Sequence, residues 1–152
     1  MSDTQKQAAL DRLEIFVGTW DVDADLPVPP DVRVDALTQF EWALNGQFLI
    51  QQSEISIPEA PNTLAVIAPN DGDGYTQHYF DSRGVVRTYA MTFDGHTWTL
   101  TRDRPDFTPL EFAQRWTATF EDGGCTIRGQ WEISHDGATW EKDFDLTYRK
   151  VT

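Results

Sequence analysis

Hydrophobic and polar positions alternate along this chain with two different periods. Leu10, Leu13 and Phe16 recur at helical spacing, Thr4 and Gln7 stand at capping-box spacing, and Gly18 closes the run. This pattern predicts one amphipathic helix over 4–17. From Trp20 onward the period falls to two. In the last segment Trp140, Lys142, Phe144, Leu146 and Tyr148 fall on one face, and Glu141, Asp143, Asp145, Thr147 and Arg149 on the other, as in a strand with one wet side. The same alternation runs through Val34, Ala36, Thr38, Phe40, Trp42 and Leu44. It returns in Tyr89, Met91 and Phe93, in Phe112, Trp116, Ala118 and Phe120, and in Ile127, Trp131 and Ile133.

Turn chemistry separates these runs: Asn45-Gly46, Asp71-Gly72-Asp73-Gly74, Asp81-Ser82-Arg83-Gly84, Asp94-Gly95, Asp122-Gly123-Gly124 and Asp136-Gly137. About ten strands follow, near 18–25, 32–44, 47–57, 63–69, 74–81, 85–93, 96–103, 111–121, 125–134 and 138–150. With no helix between them, the predicted fold is all-β, a single domain over 1–152 in which an antiparallel up-and-down meander closes into a barrel and removes its exposed edges. Successive turns of a meander alternate between the two ends. Asn45-Gly46, 70–74, 94–96 and 122–124 gather at one end, where the N-terminal helix should lie as a lid. The longer loops 26–31, 58–62, 81–84, 103–110 and 135–137 gather at the other, the expected mouth.

Composition narrows the class. A hydrophobic content of 39% with 9 Phe, 6 Trp and 4 Tyr can fill one core. The net charge of -13 argues against nucleic acid as a partner, since phosphate contacts need clustered Lys and Arg. Residues 2–7 lack a basic start before an apolar stretch, and the longest aliphatic run, Leu64 to Ala68, is too short to insert in a membrane. Cys125 is the only cysteine, so no internal disulfide and no CxxC metal site can form. The expected location is the cytoplasm.

The candidate chemistry lies where polar residues break inward apolar faces. Arg87 is in register with Tyr89 and Met91, Arg102 with Trp98 and Leu100, Gln114 with Trp116, and Lys142 with Trp140 and Phe144, each on the mouth half of its strand. Arg87 should oppose Arg102 directly or one pair away, and like charges facing each other in a sheet need a counter-ion. Either rim carboxylates such as Asp81 or Asp103 supply it, or Trp131 stacks on a cation, or a bound anion does. His78 faces inward beside Arg87 or outward, depending on a bulge at 81–84; if outward, Gln77 and Tyr79 replace it. His96 and His135 sit in turns. No metal site is expected, and Ser-His-Asp order, phosphate loop and HExxH are all missing, which favours a non-catalytic role. Inward His78, Tyr89 and Arg87 would still suit acid–base chemistry of an isomerase or lyase type.

A helix followed by Gly18-Thr19-Trp20, opening the first of about ten meander strands, resembles the calycin superfamily of lipocalins, fatty-acid-binding proteins and nitrobindins. The likeness is closest to uncharacterised bacterial lipocalin-like families and covers nearly the whole chain. It implies a barrel that binds a small hydrophobic or amphipathic ligand without a cofactor. Haem is the alternative from the nitrobindin side, although Val22 and Ala24 stand where that family's later glycines would be, and no histidine lies near the C-terminus.

Together these readings predict an interior site for a small, mainly apolar molecule with an acidic group. The tail would sit among Trp20, Phe40, Trp42, Met91 and Trp116 and the anion near Arg87, Arg102 and Lys142, with Tyr89, Gln114, Trp131 and His78 close by. Aromatic bulk could equally fill the barrel and leave an interaction scaffold. A homodimer is expected through the outer face of strand 47–57, where Phe48 and Ile50 point out if Leu44 pairs with Gln47 across the turn.

Overall fold

Ser2 caps the first helix. Its hydroxyl accepts the Gln5 backbone N–H at 3.2 Å and the Gln5 side chain accepts the Ser2 N–H at 2.9 Å, so the capping box lies two residues before the Thr4–Gln7 pair expected from spacing. Helix α1 (Asp3–Arg12) then tightens into a 3₁₀ turn at Leu13–Phe16, Val17 is extended, and Gly18 at φ 136° turns the chain into the first strand. In the computed structural model, which describes residues 2–25, 29, 31, 34–72 and 74–151, ten strands follow. They are β1 (Gly18–Ala24), β2 (Ala36–Ala43), β3 (Phe48–Ile55), β4 (Thr63–Pro69), β5 (Tyr75–Asp81), β6 (Val86–Phe93), β7 (Thr97–Arg102), β8 (Ala113–Glu121), β9 (Thr126–Ser134) and β10 (Glu141–Lys150).

Each strand pairs antiparallel with its sequence neighbours, and β1 pairs with β10, Trp20 opposite Lys150, to close the barrel. The first two residues of the predicted strand 32–44, most of the loop at 26–31 and Asp73 lie outside the described residues. The predicted 138–150 strand begins at Glu141, because the Asp136 carboxylate accepts the N–H groups of Ala138 and Thr139 and holds them in a turn. At Asn45-Gly46 the register is the one expected: Ala43 faces Phe48, Gln47 N–H donates to Leu44 O at 3.3 Å, and Leu49 and Gln51 point inward. No helix among the described residues is long and apolar enough to cross a membrane.

The barrel is filled at one end only. The helix lies across the short-turn end, where Tyr75 Oη donates to Ala9 O at 2.7 Å and Trp42 Nε1 to Glu14 Oε2 at 2.7 Å. From the 3₁₀ turn Phe16 enters the barrel, fully buried, with its ring 5.0–5.2 Å from those of Phe40, Phe93, Trp98 and Phe120. Trp20 donates its indole N–H to Phe16 O at 2.8 Å. Three of the expected ligand contacts, Trp20, Phe40 and Met91, are consumed in this solid aromatic plug, and Trp42 is held against the helix.

Close packing also depends on Gly129. Opposite Ala118 on β8, it leaves room for the indole of Trp116, and a methyl group there would overlap both the Trp116 ring and the Ala118 side chain. Gly129 has no special backbone angle, so its role is steric. Gly129→Ala is therefore expected to destabilise the protein by about 1–3 kcal/mol, the usual range for overpacking, in urea unfolding followed by tryptophan fluorescence.

Candidate functional site

Above the plug the barrel is hollow. A cavity of about 390 Å³ opens at the long-loop end, walled by Leu100, Trp98, Trp116, Trp131 and Tyr148 and rimmed by Glu59, Pro61, Arg83, Phe112 and Asp143. The alternation of β5 decides part of the wall: Gln77 is buried and Tyr79 half-buried, while His78 is exposed on the outside. His78 therefore cannot join Tyr89 and Arg87, and the acid–base trio considered from sequence is not assembled. His96 and His135 are exposed as well, and none of the three histidines lines the cavity, so the residues present do not fit a histidine-ligated haem. Among the described residues no three His, Cys, Asp or Glu side chains group as metal ligands.

The three cations expected to converge do not. Lys142 faces outward, with about half of its side chain exposed, and its Nζ binds Asp145 Oδ2 at 3.0 Å. The cause is a bulge: Lys142 pairs with Glu132 and Phe144 with Trp131, so Asp143 is an extra residue that shifts the alternation by one. Arg102 points in but is sealed. It donates to Asp106 through Nε at 3.0 Å and Nη2 at 2.9 Å, and to Thr108 O at 2.8 Å, with its side chain 2% exposed. Asp106 also accepts from the N–H groups of Thr88 and Thr108, which ties the 103–110 loop to β6. The guanidinium of Arg102, followed by those backbone N–H donors, holds the Asp106 carboxyl well below the ordinary range. Asp106, which neither Asp81 nor Asp103 replaces, is the partner that strand periodicity could not reveal. Its signal is the Asp106-Phe107-Thr108 turn between Pro105 and Pro109.

Of the three, Arg87 alone faces the cavity without a carboxylate partner among the described residues. It lines the cavity, forms no ion pair among the described residues, and its Nε is buried without a hydrogen-bond partner. It adjoins Tyr89, whose phenol is pushed up by burial against a smaller downward pull from Arg87, and which donates to Gln114 Oε1 at 2.9 Å. The other buried side-chain atoms without a partner, Gln77 Oε1, Trp98 Nε1 and Trp116 Nε1, also belong to cavity-lining residues. Buried polar groups without a partner among the described residues thus concentrate around one space.

No family model and no curated protein matches this chain. The geometry of the barrel therefore carries the functional reading by itself.

Aromatic rings connect the wall from rim to plug, Tyr79 to Tyr89 at 6.0 Å, Tyr89 to Trp131 at 5.7 Å, Trp131 to Trp116 at 5.5 Å and Trp116 to Trp98 at 5.5 Å. Tyr148 completes the interior beside Gln51, its phenol raised to about 12 by burial. Gln51, Trp98 and Tyr148 were not among the expected contacts, although period-two alternation already placed them inward, while Gln77 and Tyr79 stand where they were expected if His78 faced outward. At the rim Tyr79 donates to Asp81 at 2.8 Å, and Arg83 donates to the same oxygen through Nη2 at 2.7 Å.

Burial works to raise the Asp81 carboxyl, but the hydrogen bonds from Arg83 and Tyr79 outweigh it and bring it down to about 2. A folded-state pKa below the unfolded value of about 3.9 means stability that is present above about pH 4 and lost as pH falls through 2. The deficit in Tm of Asp81→Asn relative to the native chain should thus be constant above about pH 4.5 and shrink steadily toward pH 2, measured by thermal melts across that range.

Proposed function

We propose that the barrel binds one small, mainly apolar molecule carrying an acidic group. The molecule enters through the long-loop end, lies between Trp98, Leu100, Trp116 and Tyr148, and places its acid at Arg87. The observation that carries this reading is a half-hollow aromatic barrel with Arg87, an inward cation that has no ion pair among the described residues, in its cavity wall. The volume of about 390 Å³ lies within the range of small-molecule sites, which are mostly apolar with a few fixed polar groups.

Magnitudes favour the two halves acting together. Covering roughly 200 Å² of apolar ligand surface contributes about 5 kcal/mol, enough for retention but indifferent to ligand chemistry. A charge-assisted hydrogen bond to the half-buried guanidinium of Arg87 adds about 1.5–3 kcal/mol and supplies the selectivity. Asp143 at the rim works against a second negative charge, so a monoacid suits the cavity better than a diacid.

Titration of medium-chain and aromatic acids and their alcohol analogues, read by the fluorescence of Trp98, Trp116 and Trp131, tests the reading. Arg87→Met is expected to weaken the acid by about tenfold to a hundredfold while leaving the alcohol within about twofold. Equal loss for acid and alcohol would reduce the site to an apolar cavity, and no quenching by either series would remove the binding reading.

A further inference from the structure

The outside of the barrel is divided. The surface ion pairs Arg115–Glu132, Arg128–Glu121, Lys142–Asp145 and Arg149–Asp23 lie on β8, β9, β10 and β1, and Arg83–Asp81 sits at the rim where β5 ends. On the opposite side, β3 to β6, the registers align the outward residues in rows such as Gln52, Leu64, Phe80 and Val86. Every outward position from Phe48 to Gln52, Leu64 to Ala68, Thr76 to Phe80 and Val86 to Ala90 is occupied by an apolar residue, Gln, Thr, Ala or His78. Charged residues make up 24% of the chain, yet none stands in this block. Phe48, Ile50, Leu64, Val66, Phe80 and Val86 form its apolar part, with Phe80 39% exposed.

We infer that this face pairs with the same face of a second copy of the chain about a two-fold axis. The argument for a second copy is electrostatic. Each molecule carries a net charge of -13, so two copies repel wherever their acidic sides meet. Only the neutral face lets them approach, and face-to-face pairing holds the charged sides apart on the outside of the dimer. A basic partner would be drawn to the acidic side instead. An isologous contact also needs one self-complementary patch, which three short rows of uncharged side chains provide.

The size sets the strength. Four strands about 4.8 Å apart and five residues long give a plane of roughly 19 by 17 Å, below the roughly 800 Å² per partner of a standard interface. The dimer is accordingly weak, with dissociation in the micromolar range or above, and it tightens as salt screens the repulsion.

Sedimentation velocity of the full chain from about 1 µM to about 1 mM, at low and high salt, tests this. The native chain should shift from monomer to dimer with concentration, at lower concentration in high salt. Phe80→Glu and His78→Glu should stay monomeric over the same range with unchanged circular dichroism and Tm. His78 is already polar and exposed, so its replacement tests the face without risk to the core. Thr117→Glu, on the outer face of β8, should dimerise like the native chain. A native chain monomeric at about 1 mM, a dimer lost equally in Thr117→Glu, or binding of this face to neutral phosphatidylcholine vesicles in place of self-association would overturn the inference.

Discussion

The burial of Phe16 in the short-turn end of the barrel organises the rest of the molecule. A ten-stranded barrel is wide enough to leave space inside, and something must fill one end if the other is to be a pocket and not a pore. The helix alone would not hold its place, since only Leu10 of α1 is buried. The 3₁₀ turn supplies the anchor by directing one ring between four others in edge-on and tilted contacts, the arrangement that suits the aromatic quadrupole. Because the plug takes the lower aromatics, the cavity is left to the upper ones and opens at the opposite end.

Charge placement follows from scarcity. The chain has 12 Lys and Arg against 25 Asp and Glu, so a basic side chain that can reach an acid usually meets one. Arg102 finds Asp106 four residues on, Lys142 finds Asp145 three on, and Arg83 finds Asp81 two back. Arg87 is different because its partner across β5 is Tyr79, Tyr89 stands two residues on along its own strand, and the acids near it are already engaged. An inward cation without a carboxylate is costly in an acidic protein, which gives its position in the cavity wall its significance.

Much of this architecture was legible in the alternation of residue types. The two-residue period predicted the number of strands, the short-turn and long-loop ends, the side on which the helix lies, and the inward faces of β6, β7 and β8. It failed wherever one extra residue or one loop contact overruled the period. The bulge at Asp143 sent Lys142 outward, since nothing in Glu141-Lys142-Asp143-Phe144 marks which residue is supernumerary. Arg102 was read inward correctly, but its partner stands on a loop whose path depends on Asp106 accepting backbone donors from β6. The division between filled and hollow halves was equally invisible, because it depends on how far Phe16 reaches into the barrel.

The pairing of β1 with β10 has a consequence for how the barrel comes into being. Every other strand pair is a hairpin or a loop of modest length, closable in order along the chain, whereas this seam brings Trp20 to Lys150 and Thr19 to Val151 across almost the entire sequence. Such a contact carries the largest loop-closure entropy and is expected to form after the meander is in place. Until then the chain is a curled open sheet with two unpaired edges, the form in which sheets are most open to pairing with other chains. Lys150 lying over the Trp20 ring at 5.4 Å puts a positive charge on that seam, and the strongly acidic character of the whole keeps such open sheets apart while the last pair zips.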